Sequence, residues 1–174
     1  SGDATFTGNL GSSNLTVASG TMTVSTGTIS GSGTVAVNSG ATLSADASKL
    51  SGEAIAGTGA ITISNLQAKT DSSFVGLDTG LNVTANWASS SATYTGNLTN
   101  VDALSISSGT MTVTDNILGS LATSGAGSIV VQVDTSSSQD FANLTLSGSE
   151  TIQFTGNSTF TGNFQNSSVS VNNG

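Results

Sequence analysis

Cysteine, proline, histidine and arginine are all missing from this chain of 174 residues, and lysine occurs twice. Without cysteine there is no disulfide framework and no thiolate metal site. Without histidine or arginine there is little to shuttle protons or to bind acidic sugars. The net charge of -8 argues against nucleic acid and anionic membranes as partners, because both demand basic side chains. No apolar run approaches the roughly 18 residues needed to span a bilayer as a helix. No basic stretch leads into an apolar one, so no signal peptide is expected within this sequence. The chain opens and closes inside a repeating pattern, and is expected to be a mature fragment or a segment of a longer repeat protein.

What is present is serine and threonine, roughly a third of all residues, with 22 glycines and many asparagines. Only 35% of the chain is hydrophobic and 7% charged. Disorder at such low hydrophobicity normally comes with high charge and few β-branched residues. Here valine, isoleucine and threonine alternate with small polar residues, a composition of short strands and tight turns. The expectation is a folded, all-β protein.

The pattern repeats. Phe6, Tyr94 and Phe160 each stand in an aromatic-Thr-Gly-Asn motif, at separations of 88 and 66 residues, four and three times 22. Alternating triplets support that period and form the expected core stack: Leu15 with Val17, Val35 with Val37, Ile61 with Ile63, Leu81 with Val83, Leu104 with Ile106, Ile129 with Val131, Leu144 with Leu146 and Val169 with Val171. In each, the outer two side chains point to one face and the middle one to the other. Two weaker columns accompany them: Phe6, Ile29, Ile55, Phe74, Tyr94, Leu118, Phe141 and Phe160, and Met22, Leu43, Leu66, Trp87, Met111 and Ile152. The fold expected is one parallel β-solenoid over 1–174, a β-helix of about eight rungs averaging 22 residues, each with three short strands. One rung cannot bury its own apolar residues; stacking does it. At roughly 4.8 Å per rung the rod is about 38 Å long. Irregular stretches near 45–58 and 67–76, holding both lysines, are expected as loops leaving the rod, with one helical turn among them. The alternative is a pair of immunoglobulin-like β-sandwiches, whose strands are longer.

The stretches Asn97–Val113 and Asn143–Gly148 resemble the repeats of large secreted bacterial surface proteins: autotransporter passengers, filamentous-haemagglutinin-like adhesins, and S-layer or sheath proteins. The resemblance covers most of the chain. It implies a right-handed rod, an extracellular or cell-surface location, a structural or adhesive role and no catalysis. The Gly-Gly-x-Gly-x-Asp calcium nonapeptide that often accompanies such repeats is missing.

Ten carboxylates are scattered along the chain. Glycoside hydrolysis needs two of them about 5 to 9.5 Å apart, and only Asp78 and Asp102, on neighbouring rungs, suggest such a meeting. The reading preferred is solvated turn acids, with no catalytic residue and no cofactor. Hard cations take oxygen ligands, so Asp134 and Asp140, in the loop Val133–Asp140, are the calcium candidates. Thr-x-Thr recurs at Thr5/Thr7, Thr21/Thr23, Thr26/Thr28, Thr93/Thr95, Thr110/Thr112/Thr114 and Thr159/Thr161. Ice-binding solenoids use threonine ladders, but the motif skips intervening rungs, so no continuous ladder is expected. Six asparagines (14, 82, 97, 143, 157 and 166) begin Asn-x-Ser/Thr and are glycan acceptors if the protein is secreted, or stack as amide ladders. The aromatics are expected in the core, except Trp87, whose loop-like context makes it the candidate sugar contact.

The function expected is a non-catalytic structural segment of a bacterial extracellular or surface assembly, pairing with itself or with flanking repeats. The alternatives are an adhesin stalk or glycan-binding module and, further down, an ice-binding solenoid or a polysaccharide-degrading enzyme.

Overall fold

The structure, a computed structural model, describes residues 2–134, 139–155, 159–164 and 167–172. Its first half contains β1 (Ala4–Phe6), β2 (Leu15–Val17), β3 (Gly20–Val24), β4 (Val35–Val37), β5 (Ala41–Asp46), helical turn α1 (Ala47–Leu50), β6 (Ile55–Gly57) and β7 (Ala60–Ser64). A 3-10 turn at Leu66–Ala68 leads to β8 (Asn82–Trp87) and β9 (Ser90–Thr93). Then follow β10 (Ala103–Ile106), β11 (Gly109–Thr114), α2 (Asp115–Leu118), β12 (Ala122–Gly125), β13 (Ser128–Val133), β14 (Leu144–Leu146), β15 (Glu150–Thr155) and β16 (Ser168–Asn172).

These strands wind a parallel β-solenoid of about eight turns. One sheet runs its whole length, in the order β1-β3-β5-β7-β8-β10-β12-β14. A second, β2-β4-β6, flanks it in the early turns; a third, β9-β11-β13-β15-β16, flanks it in the later ones. Every strand pairing among the described residues is parallel. The antiparallel sandwich alternative is therefore excluded.

Alternation decides what faces inward. Along the long sheet, Val24, Ala45, Ile63, Ala85, Leu104, Thr123 and Leu144 stand in register, and all are buried. Each buried valine, leucine or isoleucine contributes about 1.5–3 kcal/mol. The steps along this row are 21, 18, 22, 19, 19 and 21 residues, shorter on average than the expected 22. The reason is a change of side. From Phe6 through Val24, Ala45 and Ile63 to Ala85 four turns take 79 residues. The remaining nine carry the chain round a corner to Tyr94, beyond β9 on a different sheet. The 88-residue spacing thus contains four turns and one extra side.

The same shift reorders the triplets, which are not one column. Leu15 and Val17 belong with Val35 and Val37 to the β2-β4-β6 sheet. Ile61 and Ile63, Val83, Leu104 and Ile106, and Leu144 and Leu146 belong to the long sheet. Ile129 and Val131 are fully buried, but on the third sheet. There Val131 stands in register between Val113 and Ile152, not on a rung with Leu104 or Leu144. The expectation that placed Val131 in a stack with those leucines is corrected, because the chain has turned one side further by β13. Leu81 is buried just ahead of β8. Leu15 and Leu146 are half-buried, whereas Val169 and Val171 are 50% and 64% exposed. Val169 stands opposite Ile152 and Val171 opposite Phe154, so both extend the inward row of the third sheet, and no described residue covers them.

The stretches 45–58 and 67–76 do not leave the rod. They supply β6, α1 and much of the core: Leu50, Ile55 and Phe74 are at most 2% exposed. The expected helical turn is α1, where the Asp46 carboxylate accepts the Ser48 N–H. Strands occupy two sides of most turns; the third is closed by helical turns and single bridges such as Asn9 with Thr28 and Ser73 with Asn97. Tight corners need left-handed backbone, as at Gly109, whose φ is 75°. A Cβ there would run into the Ser90 carbonyl one rung below.

Candidate functional site

Most carboxylates are spent on the backbone. Asp3 accepts the Thr21 N–H, Asp78 the Gly80 N–H, Asp102 the Val83 N–H, Asp140 the Ala142 N–H and Glu150 the Leu146 N–H, at 2.7–3.0 Å. Turns between short strands leave N–H groups without ladder partners, and an acidic side chain satisfies them in place. Asp46 does the same for α1 and also accepts the Asn65 amide from the next turn. Partial burial pulls its pKa up, but these hydrogen bonds and the Lys49 charge outweigh that and hold it below the ordinary value.

Two open grooves mark the surface. One, of about 390 Å³, is lined by residues 98–102, 117, 118, 120 and 121 and contains one carboxylate, Asp102. The other, of about 420 Å³, runs across three turns between Gly33, Ala54, Ala56 and Gly76, with Asp78 at its rim. Asp78 and Asp102 thus line separate grooves. Among the described residues no three acidic side chains gather as a metal site would require. Asp134 and Asp140 flank residues 135–138, which lie outside the described residues.

Trp87 is not a surface contact. It ends β8 with its ring fully buried, and its Nε1–H donates to the Ser90 carbonyl at 3.1 Å. Its neighbours Asn86 and Ala88 resemble a loop in composition, but the inward alternation of Val83, Ala85 and Trp87 continues through them. Phe74, Tyr94 and Phe141 are also buried. Phe160 stacks on Phe164 at 4.2 Å and on Phe141 at 5.5 Å, near the β16 end.

The glycine of the aromatic-Thr-Gly motif is set by the turn beneath it. At Gly96 and Gly162 an added Cβ would run into the carbonyl oxygen of Ser72 or of Gln139 on the preceding turn, and would lie 2.6 Å from the Tyr94 hydroxyl or the Phe160 ring. Between that carbonyl and the aromatic side chain only hydrogen fits. The Tyr94 hydroxyl then reaches the preceding turn, donating to the Ser72 carbonyl at 2.7 Å. Burial pushes its pKa up to about 12.

The threonines form a row that their motif conceals. Thr5, Thr23, Ser44, Thr62 and Thr84 stand in register on the outer face of the long sheet. Serine from an unrelated triplet and threonines outside any Thr-x-Thr fill the rungs that the motif skips. On the third sheet the corresponding row, Thr93, Thr112, Val130, Thr151 and Ser168, is broken at Val130.

Of the asparagines in glycan-acceptor motifs, Asn14 accepts the Thr34 N–H and Asn143 donates to the Ser120 carbonyl, both tying adjacent turns. Asn97 caps its own turn at Thr99, and Asn82 is exposed at the start of β8. Asn157 and Asn166 lie outside the described residues. An amide ladder does occur, but between Gln132 and Gln153.

One buried acid escapes sequence reasoning. Asp115 is 5% exposed, and its Oδ1 finds no hydrogen-bond partner among the described residues. It opens α2 just as the buried Ala47 opens α1. That equivalence, visible only once both helical turns are placed after strands, was the available signal. Comparison of the chain with protein-family models, with curated proteins and with solved structures returns no match.

Proposed function

We propose that this chain is a non-catalytic structural segment of an extracellular or bacterial cell-surface assembly, built by stacking one β-rung upon another. The observation that carries this is the exposed pair Val169 and Val171, which prolong the buried row through Ile152 and Phe154. Another rung laid on β16 removes both valines from water and pairs the strand edge; unpaired edges otherwise invite association. That rung comes from a flanking repeat or from a second copy. Held by main-chain pairing, such a rod needs neither disulfide nor cofactor, and most of its carboxylates are engaged with the backbone. The resemblance of Asn97–Val113 to surface-protein repeats agrees with this location.

The test is sedimentation velocity with negative-stain microscopy over a concentration series, with and without millimolar calcium. End-to-end rods lengthening with concentration are expected, and Val171→Lys is expected to return them to single units. Single short rods at every concentration, identical in wild type and variant, would refute self-assembly. A calcium requirement would instead direct attention to the Asp134–Asp140 loop.

A further inference from the structure

We propose that the outer face of the long sheet binds ice, through the in-register hydroxyls of Thr5, Thr23, Ser44, Thr62 and Thr84. This does not rest on the assembly reading above. The five are partly or fully exposed, and among the described residues none of their hydroxyls bonds to the protein. Elsewhere strand hydroxyls are engaged by the chain itself: Thr123 donates to the Leu121 carbonyl, Thr145 to that of Thr123 and Thr155 to that of Val133. The row is therefore five unengaged hydroxyls at the strand spacing of roughly 4.8 Å. Beside it, two residues away along their strands and roughly 6.6 Å across, Thr21 and Thr42 stand opposite each other, and Ala60 and Asn82 continue their line.

The chemistry of the face narrows its partner. The row carries no aromatic ring for a sugar to stack on and no charge of its own, and Asp46, two residues beyond Ser44 on the same face, is engaged by Ser48 and Asn65. Its short side chains bury too little apolar area to hold a protein. A threonine hydroxyl donates once and accepts twice, much as water does, and its branched Cβ leaves few χ1 rotamers to choose among. Each exchange of one water for another is nearly neutral. Only a ligand that itself repeats at the strand spacing engages the whole row at once and gains from the multiplicity. The oxygen lattice of ice repeats at a distance close to the strand spacing along the row.

The experiment measures thermal hysteresis and inhibition of ice recrystallisation for the full chain, for Thr23→Lys and Thr62→Lys in the row, and for Thr112→Lys on the third sheet. Circular dichroism verifies the fold of each. Expected are faceted ice crystals with wild type, at least a tenfold loss of activity in both row variants, and a change under twofold in Thr112→Lys. Ice growing as in plain buffer with wild type would overturn the proposal. So would row variants as active as wild type, or equal loss in the Thr112→Lys control. Assembly is scored on the same samples by sedimentation, so the two readings fail separately.

Discussion

Met22 and Met111 occupy the same place in two nearly identical stretches, Leu15–Val24 and Leu104–Val113, yet they stand on different sheets. Met22 pairs with Leu43 on the long sheet, and Met111 with Ile129 on the later one. In the first copy the triplet lies on the early flanking sheet and the strand after the corner on the long sheet. In the second the triplet takes the long sheet and the next strand moves one side further round. The segment between β7 and β10 makes the shift, by adding β9 after β8.

Tyr94 is the only tyrosine, so its ionisation is directly readable by ultraviolet absorbance. Its folded pKa is raised to about 12, against roughly 10 in an unfolded chain. The folded state therefore resists deprotonation. The stability tied to the neutral hydroxyl is complete below pH 10 and is lost as pH rises from 10 towards 12. A phenolate signal well before unfolding would contradict this. Tyr94→Phe removes the bond to Ser72 and is expected to cost about 1–3 kcal/mol in chemical denaturation.

Gly8 and Gly96 occupy the same motif but differ in what lies above them. A Cβ on Gly8 meets the Phe6 ring at an ordinary 3.7 Å, whereas one on Gly96 overlaps the Ser72 carbonyl of the preceding turn and the Tyr94 side chain. Gly8→Ala is expected to leave the melting temperature nearly unchanged. Gly96→Ala is expected to cost about 1–3 kcal/mol and to alter the near-ultraviolet dichroism of Tyr94. Equal effects at both sites would refute the account of a glycine wedged between the Ser72 carbonyl and the Tyr94 side chain.

Asp115→Ala is expected to stabilise the protein. Removing a buried carboxylate with an unpaired oxygen relieves a cost of about 1–3 kcal/mol, and Ala47 already fills the matching position. Denaturant midpoints of wild type and variant decide it; a lower midpoint in the variant would mean that the carboxylate has a partner in solution.

Asp46→Ala is expected to cost about 1 kcal/mol at neutral pH through loss of the α1 cap. Because the folded pKa of Asp46 is lowered, its contribution is present above roughly 3.8 and disappears as pH falls through the folded value. The difference between wild type and variant should therefore shrink in acid. A gap that persists at pH 2 would sink this assignment.

The solenoid class was legible because alternation of Val, Leu and Ile with small polar residues survives wherever strands stack. The true registers were not, since the triplets ending in Val17, Ile106 and Val131 look alike whichever side they occupy. Side is set by the number of residues between strands, and composition does not record it. Trp87 misled because asparagine, alanine and serine surround it, although the inward parity of Val83 and Ala85 already pointed it at the core. The hydroxyl row stayed hidden for a related reason: its members come from differently spelled rungs, and only the pairing of Ser44 with Thr23 and Thr62 joins them.

The added side at β9 has a geometric outcome. The outward threonines of the two matching copies, Thr21/Thr23 and Thr110/Thr112, are aimed at different compass directions around the rod axis. A molecule that recognised this short motif would find it displayed twice on one rod, at two heights and two azimuths. Such a molecule would meet the rod from two flanks.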